Sequence, residues 1–384
     1  MSAARSLPPV PFNRPGVTGR ELPYLQQALA SGHLSGDGAF TARCHAMLEA
    51  ITGAPKVLLT SSCTHALEMA ALLANLGPGD EVICPAFTFV SSVNAFVLRG
   101  ARPVFVDIRP DTLNLDERLV EAAITPRTRA LMVVHYAGVG CEMPALMAVA
   151  ARHGLHVIED NAHGLFATYD GRPLGSDGAT SALSFHETKN LTCGEGGALV
   201  INDPALVARA EILREKGTNR SRFFRGQVDR YTWVDVGSSY LPSDLLAAYL
   251  CAQLESRAEI QATRHAIWRR YDEALTAWAA AEGVGRPYTP PHCTHPAHMY
   301  YLLMPSLAAR TRFIAHLRAH LVLAVFHYLP LHLSDKGREY GGHAGQCPVT
   351  EDVSDRLVRL PLYLDLGADQ ARVIAAVTSF RVAG

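Results

Sequence analysis

The chain lacks the features of a membrane, secreted or nucleic-acid-binding protein. It has no apolar run long enough to span a membrane, and the opening residues, MSAARSLPPVPFNRPG, have no apolar core of a signal peptide. Its eight cysteines include no C-x-x-C pair, which predicts reduced thiols rather than a disulfide framework. The net charge of −1 gives no basic excess for nucleic acid or an anionic membrane. We therefore expect a cytoplasmic protein without nucleic-acid or membrane partners.

Charged residues are also scarce, at 18% against 48% apolar residues, which indicates a globular protein with much buried surface. The sequence has no internal repeat and no low-complexity segment. Because 384 residues exceed what one core usually serves, we expect two domains. The pattern predicts a large α/β domain over residues 1–252 and a smaller α+β domain over 253–384. A long helix at about 243–280 would link them.

Short apolar strands alternate with helices in the first half of the chain. The predicted strands are 56–60, 81–84, 102–106, 129–134 and 155–158, and the helices between them are 64–76, 89–98, 116–123 and 142–153. This alternation predicts a mostly parallel sheet with helices on both faces. In such sheets ligands bind at the carboxyl ends of the strands.

One lysine stands between an apolar run and a glycine-rich return, in SALSFHETKNLTCGEGG, residues 181–197. Partial burial there would lower the pKa of Lys189 and make its amine nucleophilic. Taken alone, a solvated loop lysine is the more common explanation, so the function depends on what accompanies Lys189.

Three features at predicted strand ends accompany it. Ser62, Cys63 and Thr64 open a helix whose free N–H groups suit a phosphate, although ordinary capping also explains them. Asp160 ends an apolar strand, either as a cap or as the partner of a cationic ligand nitrogen. Taken singly, His163 is more often a packed or exposed histidine than a ligand contact, and Ser184 is otherwise a buried hydroxyl that bonds the backbone.

Together these parts match the needs of pyridoxal phosphate (PLP). The phosphate requires a helix N-terminus, the pyridine nitrogen requires a carboxylate, and the aldehyde requires a lysine of depressed pKa. An acid about thirty residues before the lysine is the order found in the aspartate-aminotransferase-like class. The combination therefore predicts a PLP enzyme of fold-type I.

The segments IEDNAHG (158–164) and SFHETKNLTCGEGGA (184–198) resemble the signature of the DegT/DnrJ/EryC1/StrS sugar aminotransferases. The resemblance runs from PFNRP, at residue 11, to the end of the chain. Longer segments resemble a branch that acts on dTDP-4-keto-6-deoxyglucose; they are SSCTHALEMAALL (61–73), FTFVSSVNAFVLRGA (87–101), VHYAGVGCEM (134–143) and REKGTNRSRFFRGQVDRYTW (214–233).

The resemblance implies roles for the residues singled out above. Lys189 would form the Schiff base with the cofactor and shuttle the proton, Asp160 would pair with the pyridinium nitrogen, and His163 would contact the ring hydroxyl side. The phosphate would be held in the segment that begins at Ser62, by Cys63 and Thr64, together with Ser184.

Phe89 would stack on the cofactor ring. A core phenylalanine on the helix 89–98 is the other explanation, and Phe87 is then the stacking candidate.

The chain departs from the family where relatives often carry an asparagine that reaches the partner subunit's cofactor phosphate. Here the stretch is GSSYLPSD, residues 237–244, so that contact is in doubt or passes to Ser238 or Ser239. The resemblance also implies a homodimer with shared active sites.

Substrate contacts are expected from the basic loop and from FHYLPLH, residues 326–332. A solvated loop is the alternative for the basic residues, but guanidinium groups match the geometry of a diphosphate. The candidates are Lys216, Arg220, Arg225, Tyr328 and His332. We favour a turn over a zinc site for HCTHPAH, residues 292–298, because it contains proline and has no second ligand pair. No metal is expected.

The expected reaction is amino transfer from L-glutamate to dTDP-4-keto-6-deoxy-D-glucose, giving 2-oxoglutarate and dTDP-4-amino-4,6-dideoxy-D-galactose. Relatives that carry histidine in place of the lysine are dehydratases, so Lys189 favours transamination. Two alternatives stay open: transamination of another nucleotide keto sugar at C3 or C4, and a PLP-binding regulator without turnover.

Overall fold

A seven-stranded sheet organises the first two thirds of the molecule. The computed structural model describes residues 8–383, so residues 1–7 of the opening segment lie outside the described part. Seven of the strands form the large sheet in the order β1-β9-β8-β5-β4-β2-β3. The strands are β1 Lys56–Thr60, β2 Glu81–Pro85, β3 Arg102–Val106, β4 Thr128–Val134, β5 His156–Asp160, β6 Thr168–Tyr169, β7 Arg172–Pro173, β8 Thr180–Ser184, β9 Gly197–Ile201, β10 Cys293–Thr294, β11 Tyr300–Leu303 and β12 Leu357–Leu360.

The large sheet is mostly parallel, as predicted. Strands β2, β3, β4, β5 and β8 pair in parallel, whereas β9 runs antiparallel to both β1 and β8. The inner strands are almost entirely buried because helices cover both faces, which explains their continuous apolar sequences. The carboxyl ends of β4, β5 and β8 therefore meet at one edge.

Fourteen α-helices in the described residues surround this sheet and a smaller C-terminal core. They are α1 Glu21–Ala30, α2 Ala39–Thr52, α3 Cys63–Leu73, α4 Val90–Val97, α5 Glu117–Val120, α6 Met143–His153, α7 Val207–Arg214, α8 Arg220–Phe224, α9 Asp244–Glu255, α10 Arg257–Glu282, α11 Leu307–Ala319, α12 Asp335–Glu339, α13 Pro348–Arg356 and α14 Asp369–Ser379.

The prediction of one continuous helix over 243–280 was wrong. The segment forms α9 and α10, which are separated at Ser256, where ψ is 4°. Helix α9 packs with α1 and α2 beside the large sheet, whereas α10 places Ile260 in that core and buries its later apolar residues in the C-terminal core. Helix α10 is therefore the element that passes from one core to the other.

The C-terminal core is built on the antiparallel pair β11–β12 and on α10, α11 and α14. It also includes Val10, which is fully buried and exchanges backbone hydrogen bonds with Leu321 and Leu323. The N-terminal segment therefore reaches the C-terminal core, a contact that the division at residues 252 and 253 did not include. That division stays a prediction.

None of the helices in residues 8–383 has the length and apolar character needed to cross a membrane.

Candidate active site

A cavity of about 340 Å³ opens at the carboxyl edge of the large sheet. Its wall includes the ends of β4, β5 and β8 and the N-terminus of α3, with residues of the C-terminal core on the other side. The structure brings together nine residues that the sequence singled out: Ser62, Cys63, Thr64, Phe89, Asp160, His163, Ser184, Lys189 and Tyr328.

Lys189 enters the cavity from the loop between β8 and β9. The loop is closed by backbone hydrogen bonds from Phe185 to Gly196 (2.8 Å) and from Cys193 to Phe185 (3.0 Å), and Gly194 supplies a φ of +84° for the return. Burial lowers the pKa of Lys189, although the nearby Cys63 and Asp160 oppose this shift. The structure thus gives the amine the environment of a nucleophile or general base.

Asp160 is buried at the end of β5 and is held by two donors. Ser92 Oγ donates to Oδ2 at 2.6 Å, and the backbone N–H of Ala162 donates to Oδ1 at 3.1 Å. Ser92 in turn lies 2.8 Å from the hydroxyl of Thr88. A carboxylate fixed in this way can accept a further hydrogen bond from a protonated ring nitrogen of a ligand.

The N-terminus of α3 forms another part of the wall. Ser62 Oγ caps the N–H of His65 at 3.1 Å, which leaves the N–H groups of Cys63 and Thr64 without an acceptor in the described residues. A Cβ at Gly197 would lie 2.4 Å from Cys63 N, so only glycine lets β9 approach this helix start. Free N–H groups at the positive end of a helix suit a phosphate.

His163 presents an unpaired atom beside the cavity. Its ring stacks on His298 at 4.3 Å, and its buried Nδ1 has no partner in the described chain. Burial lowers the pKa of His163 well below its usual range, and Lys189 and Arg359 add to the shift. The ring is therefore neutral and has one nitrogen free for a ligand.

Aromatic rings form a further wall. Phe89 is the N-cap residue of α4 and is 55% exposed, with its ring centroid 6.3 Å from that of Tyr328. Phe87 is buried against Tyr136 at 5.2 Å. The structure thus places Phe89 at the cavity and Phe87 in the core. The helix predicted over 89–98 begins one residue later, at Val90.

Three of the other candidates lie in or near the basic loop, residues 217–239, away from this cavity. Lys216, Arg220 and Ser239 line a second cavity of about 640 Å³. Both cations pair with Glu215, at 2.9 Å and 3.2 Å.

The last two candidates lie elsewhere. Arg225 pairs with Glu211 at 2.6 Å on the surface. His332 is fully buried, is absent from the cavity wall and contacts Glu351 at 2.9 Å.

The histidines of residues 292–298 separate in the structure. His292 packs on Tyr169, His295 packs on Trp268, and His298 lines the first cavity. No group of three or more metal-ligating side chains occurs within residues 8–383.

Several cavity residues were not predicted from the sequence, among them His298, His327 and Arg359, and neither was Ser92, which is buried and donates to Asp160. Ser92 follows Phe89 by three residues at the start of the same helix, and this spacing could have predicted that Ser92 lies near the site. Arg359 is the only charged residue in the apolar run LVRLPL, residues 357–362. A charged side chain in such a run is rarely buried without a partner, so the pattern predicts a nearby ligand or ion pair.

Comparison with known proteins decides the family. The DegT/DnrJ/EryC1/StrS aminotransferase family matches residues 16–378. The chain belongs to this family. TlmJ, an aminotransferase from Streptoalloteichus hindustanus, is 31% identical, with 97% of this chain and 98% of TlmJ covered and a TM-score of 0.88.

Two further solved structures are similar. DesV from S. venezuelae is 33% identical over 97% of this chain and 98% of its own, with a TM-score of 0.87. Spr1654 from Streptococcus pneumoniae, assigned as a sugar aminotransferase and solved in its PLP form, is 26% identical over 97% and 98%, with a TM-score of 0.89.

The family and these structures confirm fold-type I, PLP as the cofactor and sugar aminotransfer as the activity class. The enzyme thus takes an amino donor and a keto-sugar acceptor. The residues at the cavity fit the cofactor on their own geometry, because unpaired helix N–H groups, a fixed carboxylate, an unpaired histidine nitrogen and a buried lysine surround one space.

Proposed function

We propose that the enzyme transfers the amino group of L-glutamate to C4 of dTDP-4-keto-6-deoxy-D-glucose and forms dTDP-4-amino-4,6-dideoxy-D-galactose. The segments at 61–73, 87–101, 134–143 and 214–233 support this substrate, because they resemble the enzyme that makes this amino sugar for enterobacterial common antigen. The first three segments contribute residues to the cavity, so the likeness includes the reaction site.

The cofactor would be held by groups already in position. The N–H groups of Cys63 and Thr64, with the hydroxyl of Ser184, would bind the phosphate, and His163 Nδ1 would meet the ring hydroxyl side. Asp160 would keep the ring nitrogen protonated through a charge-assisted hydrogen bond. Phe89 would stack on the ring.

When bound, PLP supplies the electron sink for the donor's α-carbon and carries the amino group between the two substrates. Lys189 would hold the cofactor before the donor arrives, and its amine would then carry the proton that leaves the donor's α-carbon. The lowered pKa of Lys189 leaves more of this amine unprotonated at neutral pH. Such proton transfer contributes roughly 10²–10⁴-fold to the rate.

Aromatic side chains close the cavity beside Lys189. Tyr328 stacks on His327 at 3.6 Å, and His327 Nδ1 bonds the hydroxyl of Tyr136 at 2.7 Å. This wall excludes water from the reacting carbon, and Tyr328 borders the space for the sugar. His332, which does not line the cavity, bonds Glu351.

The nucleotide diphosphate would be bound by the basic loop of a second subunit. Lys216 and Arg220 lie in a separate cavity, so they serve a cavity on another chain more readily than their own. The loop exposes Phe224, Tyr231 and Trp233 at 69%, 56% and 77%, which is typical of a surface covered by a partner. A homodimer with shared active sites explains both the separate cavity and the exposed aromatic side chains. In it, Ser239 would contact the partner's cofactor phosphate, and Arg225 would add a further cation to the diphosphate site.

A cytoplasmic location belongs to the same proposal. All eight cysteines are free thiols, and seven of them are buried, which fits a reducing compartment.

The product decides this proposal. Purified holoenzyme with glutamate and dTDP-4-keto-6-deoxyglucose should give a 4-amino sugar of galacto configuration, identified by NMR, with one 2-oxoglutarate for each amine formed. A 3-amino or gluco product, or turnover only with another nucleotide, would refute the substrate. If the visible absorbance of the bound cofactor does not change with any amino donor, the protein is a PLP-binding regulator.

A further inference from the structure

The turn at residues 296–298 carries His298 to the active-site cavity. Its backbone is strained, because Ala297 has a φ of +51°, which is unfavourable for a residue with a Cβ. The buried Arg264 of α10 holds this backbone by donating to the carbonyls of Ala297 at 3.1 Å and of His298 at 2.7 Å. Strained backbone that buried groups hold in place clusters at functional sites, which makes His298 a candidate ligand contact.

The turn lies directly against the end of the large sheet. A Cβ at Gly138, which follows β4, would lie 2.3 Å from Pro296 Cδ and 2.6 Å from the carbonyl oxygen of His163. The imidazole of His298 stacks on that of His163, with 4.3 Å between the ring centroids. His298 is therefore fixed beside a residue assigned to the cofactor, while no cofactor contact is assigned to His298 itself.

Asn190, the residue after Lys189, determines which nitrogen of His298 carries a proton. The carbonyl of Pro296 can only accept, so the Asn190 atom 2.7 Å from it is the amide Nδ2, which also donates to Gln261 Oε1 at 3.1 Å. The amide oxygen Oδ1 then faces His298 Nδ1 at 2.9 Å. Because Oδ1 can only accept, Nδ1 of His298 is the protonated nitrogen.

The other nitrogen of His298, Nε2, is a hydrogen-bond acceptor. Burial holds the pKa of His298 well below its usual range, and the neighbouring His163 and Lys189 add to this shift, so the ring has a single proton. Nε2 makes no hydrogen bond within residues 8–383, although the residue lines the cavity. An unprotonated imidazole nitrogen accepts from a hydroxyl or an N–H and gives nothing to a carboxylate or a phosphate oxygen.

We propose that His298 Nε2 accepts a hydrogen bond from the hydroxyl on C3 of the keto sugar, with Asn190 as the positioning residue that keeps Nε2 unprotonated. This inference rests on the proposed function, because the keto sugar is the substrate that carries hydroxyls. Glutamate offers carboxylates, which accept only, and its amine is the group transferred. Next to the reacting C4 of a 4-keto-6-deoxy sugar, C3 carries a hydroxyl, whereas C5 carries the methyl group.

The competing explanation is that His298 acts only by supporting the ring of His163. That role would affect both half-reactions equally, because the same cofactor serves both. A contact with a sugar hydroxyl affects the half-reaction of the keto sugar and leaves the reaction with glutamate almost unchanged. The two explanations are therefore separable by experiment.

The test compares H298N with H298Q in the holoenzyme, and the two half-reactions are followed separately by visible absorbance. Asparagine keeps an amide near the place of Nδ1 but has no atom at Nε2, so kcat/KM for the keto sugar should fall about tenfold, as for one lost neutral hydrogen bond. The reaction with glutamate should change less than about threefold. Glutamine can place its oxygen where Nε2 was, and H298Q should recover part of the loss. H292Q, at a histidine that packs on Tyr169 outside the cavity, is the matched control and should leave both half-reactions unchanged.

The 3-deoxy analogue of the keto sugar identifies the hydroxyl. The analogue lacks the proposed donor, so the wild-type enzyme should use it about tenfold less well than the full substrate. H298N should then add no further loss. If H298N loses about as much again with the analogue, His298 does not contact the C3 hydroxyl, and the proposal is overturned.

Nitrogen-15 NMR of the histidine side chains detects the tautomer without turnover. His298, identified by the signals that are missing from H298N, should carry its proton on Nδ1 in the wild-type holoenzyme and lose this preference in N190A. A wild-type proton on Nε2 would overturn the acceptor role. Melting temperature and cofactor content identify a folding defect. Should H298N not fold, the wild-type tautomer and the wild-type penalty for the 3-deoxy analogue decide, and the absence of either overturns the proposal.

Two other results contradict the assignment. Equal losses of H298N in both half-reactions would assign the residue to the support of His163, and an unchanged rate with the keto sugar would exclude the contact. A wild-type enzyme that forms no 4-amino sugar refutes the proposed function instead, and the NMR tautomer then still shows whether Nε2 is an acceptor.

Discussion

The strand-end cavity and the basic loop, residues 217–239, differ in how completely one chain builds them. In the cavity, Asp160, Lys189 and the start of α3 meet on buried, hydrogen-bonded backbone within a single molecule. In the loop, aromatic and cationic side chains are largely exposed to solvent. The groups proposed for the reaction chemistry thus lie together within one chain, whereas the surface proposed for recognition of the large substrate is exposed.

Electrostatics separates the two regions in the same way. Burial lowers the pKa of both Lys189 and His163 in the cavity. In the loop, Lys216 and Arg220 are about half exposed and share Glu215, so their pairing contributes little to stability. Substitutions in the cavity should therefore affect the chemical step, and those in the loop should affect substrate binding.

The largest effect is expected from Lys189→Ala. Without the amine, neither half-reaction has its proton carrier, and activity should fall by at least about 10³-fold. Reduction with borohydride followed by mass spectrometry should find cofactor attached to the wild type and not to the variant. Lys216→Ala is the matched control and should keep the attached cofactor, and attachment surviving in Lys189→Ala would exclude this lysine.

The next effect is expected from Asp160→Asn. The amide has the shape of the carboxylate but cannot hold a proton on the ring nitrogen, so both half-reactions should slow by about 10²-fold or more. Ser92→Ala removes only a donor to that carboxylate and should cost about tenfold. Single-turnover rates measure both variants. If Asp160→Asn reacts as fast as Ser92→Ala, the charge of the Asp160 carboxylate is not needed for catalysis.

A smaller effect is expected from Lys216→Gln combined with Arg220→Gln. The KM for the keto sugar should rise about 10- to 100-fold because two phosphate-binding cations are lost, while the glutamate half-reaction stays unchanged. Equal losses in both half-reactions would contradict the assignment of the loop to the nucleotide.

Mixing this double variant with Lys189→Ala tests whether the loop serves a second chain. In a mixed dimer, an intact Lys189 cavity meets an intact loop only if the loop crosses between subunits. At a keto-sugar concentration low enough that each preparation alone has little activity, activity should then rise when the two are unfolded and refolded together. No recovery, with mixed dimers present in native mass spectrometry, would place the loop over its own cavity.

The parts that could be predicted from sequence are those fixed locally. Asp160 and Lys189 follow from strand ends and glycine returns that the local pattern shows, and the parallel sheet follows from alternating apolar strands and helices. Arg359 could not be placed, because it reaches the cavity from a strand about two hundred residues along the chain. The break at Ser256 was missed because helical periodicity continues on both sides of it and no glycine or proline marks the turn.

His332 shows the same limit of a linear motif. Proximity to Tyr328 in FHYLPLH suggested that both meet the sugar, but a one-turn 3₁₀ helix, Leu331–Leu333, turns His332 inward to Glu351. Only Tyr328 of the pair lines the cavity.

The smallest effect on activity is expected from His135→Gln, behind the cavity. His135 Nε2 lies 2.7 Å from Glu159, and both side chains are fully buried. Burial alone would lower the pKa of His135, but the neighbouring Cys141 side chain and the Glu159 carboxylate outweigh burial and raise the pKa to about 10. Between the unfolded value near 6.5 and that value, the native protein keeps a proton that the unfolded chain has lost. The stabilisation is thus full below pH 6.5 and fades as pH rises through about 10.

Urea unfolding should therefore show His135→Gln less stable than wild type by about 3 kcal/mol at pH 6, with a smaller difference at pH 10. Arg225→Gln, which breaks the exposed pair with Glu211 in the loop region, should change stability by less than about 1 kcal/mol at either pH. A pH-independent loss for His135→Gln would mean that the buried pair stabilises the fold through packing and hydrogen bonding alone, without the charge on the imidazole.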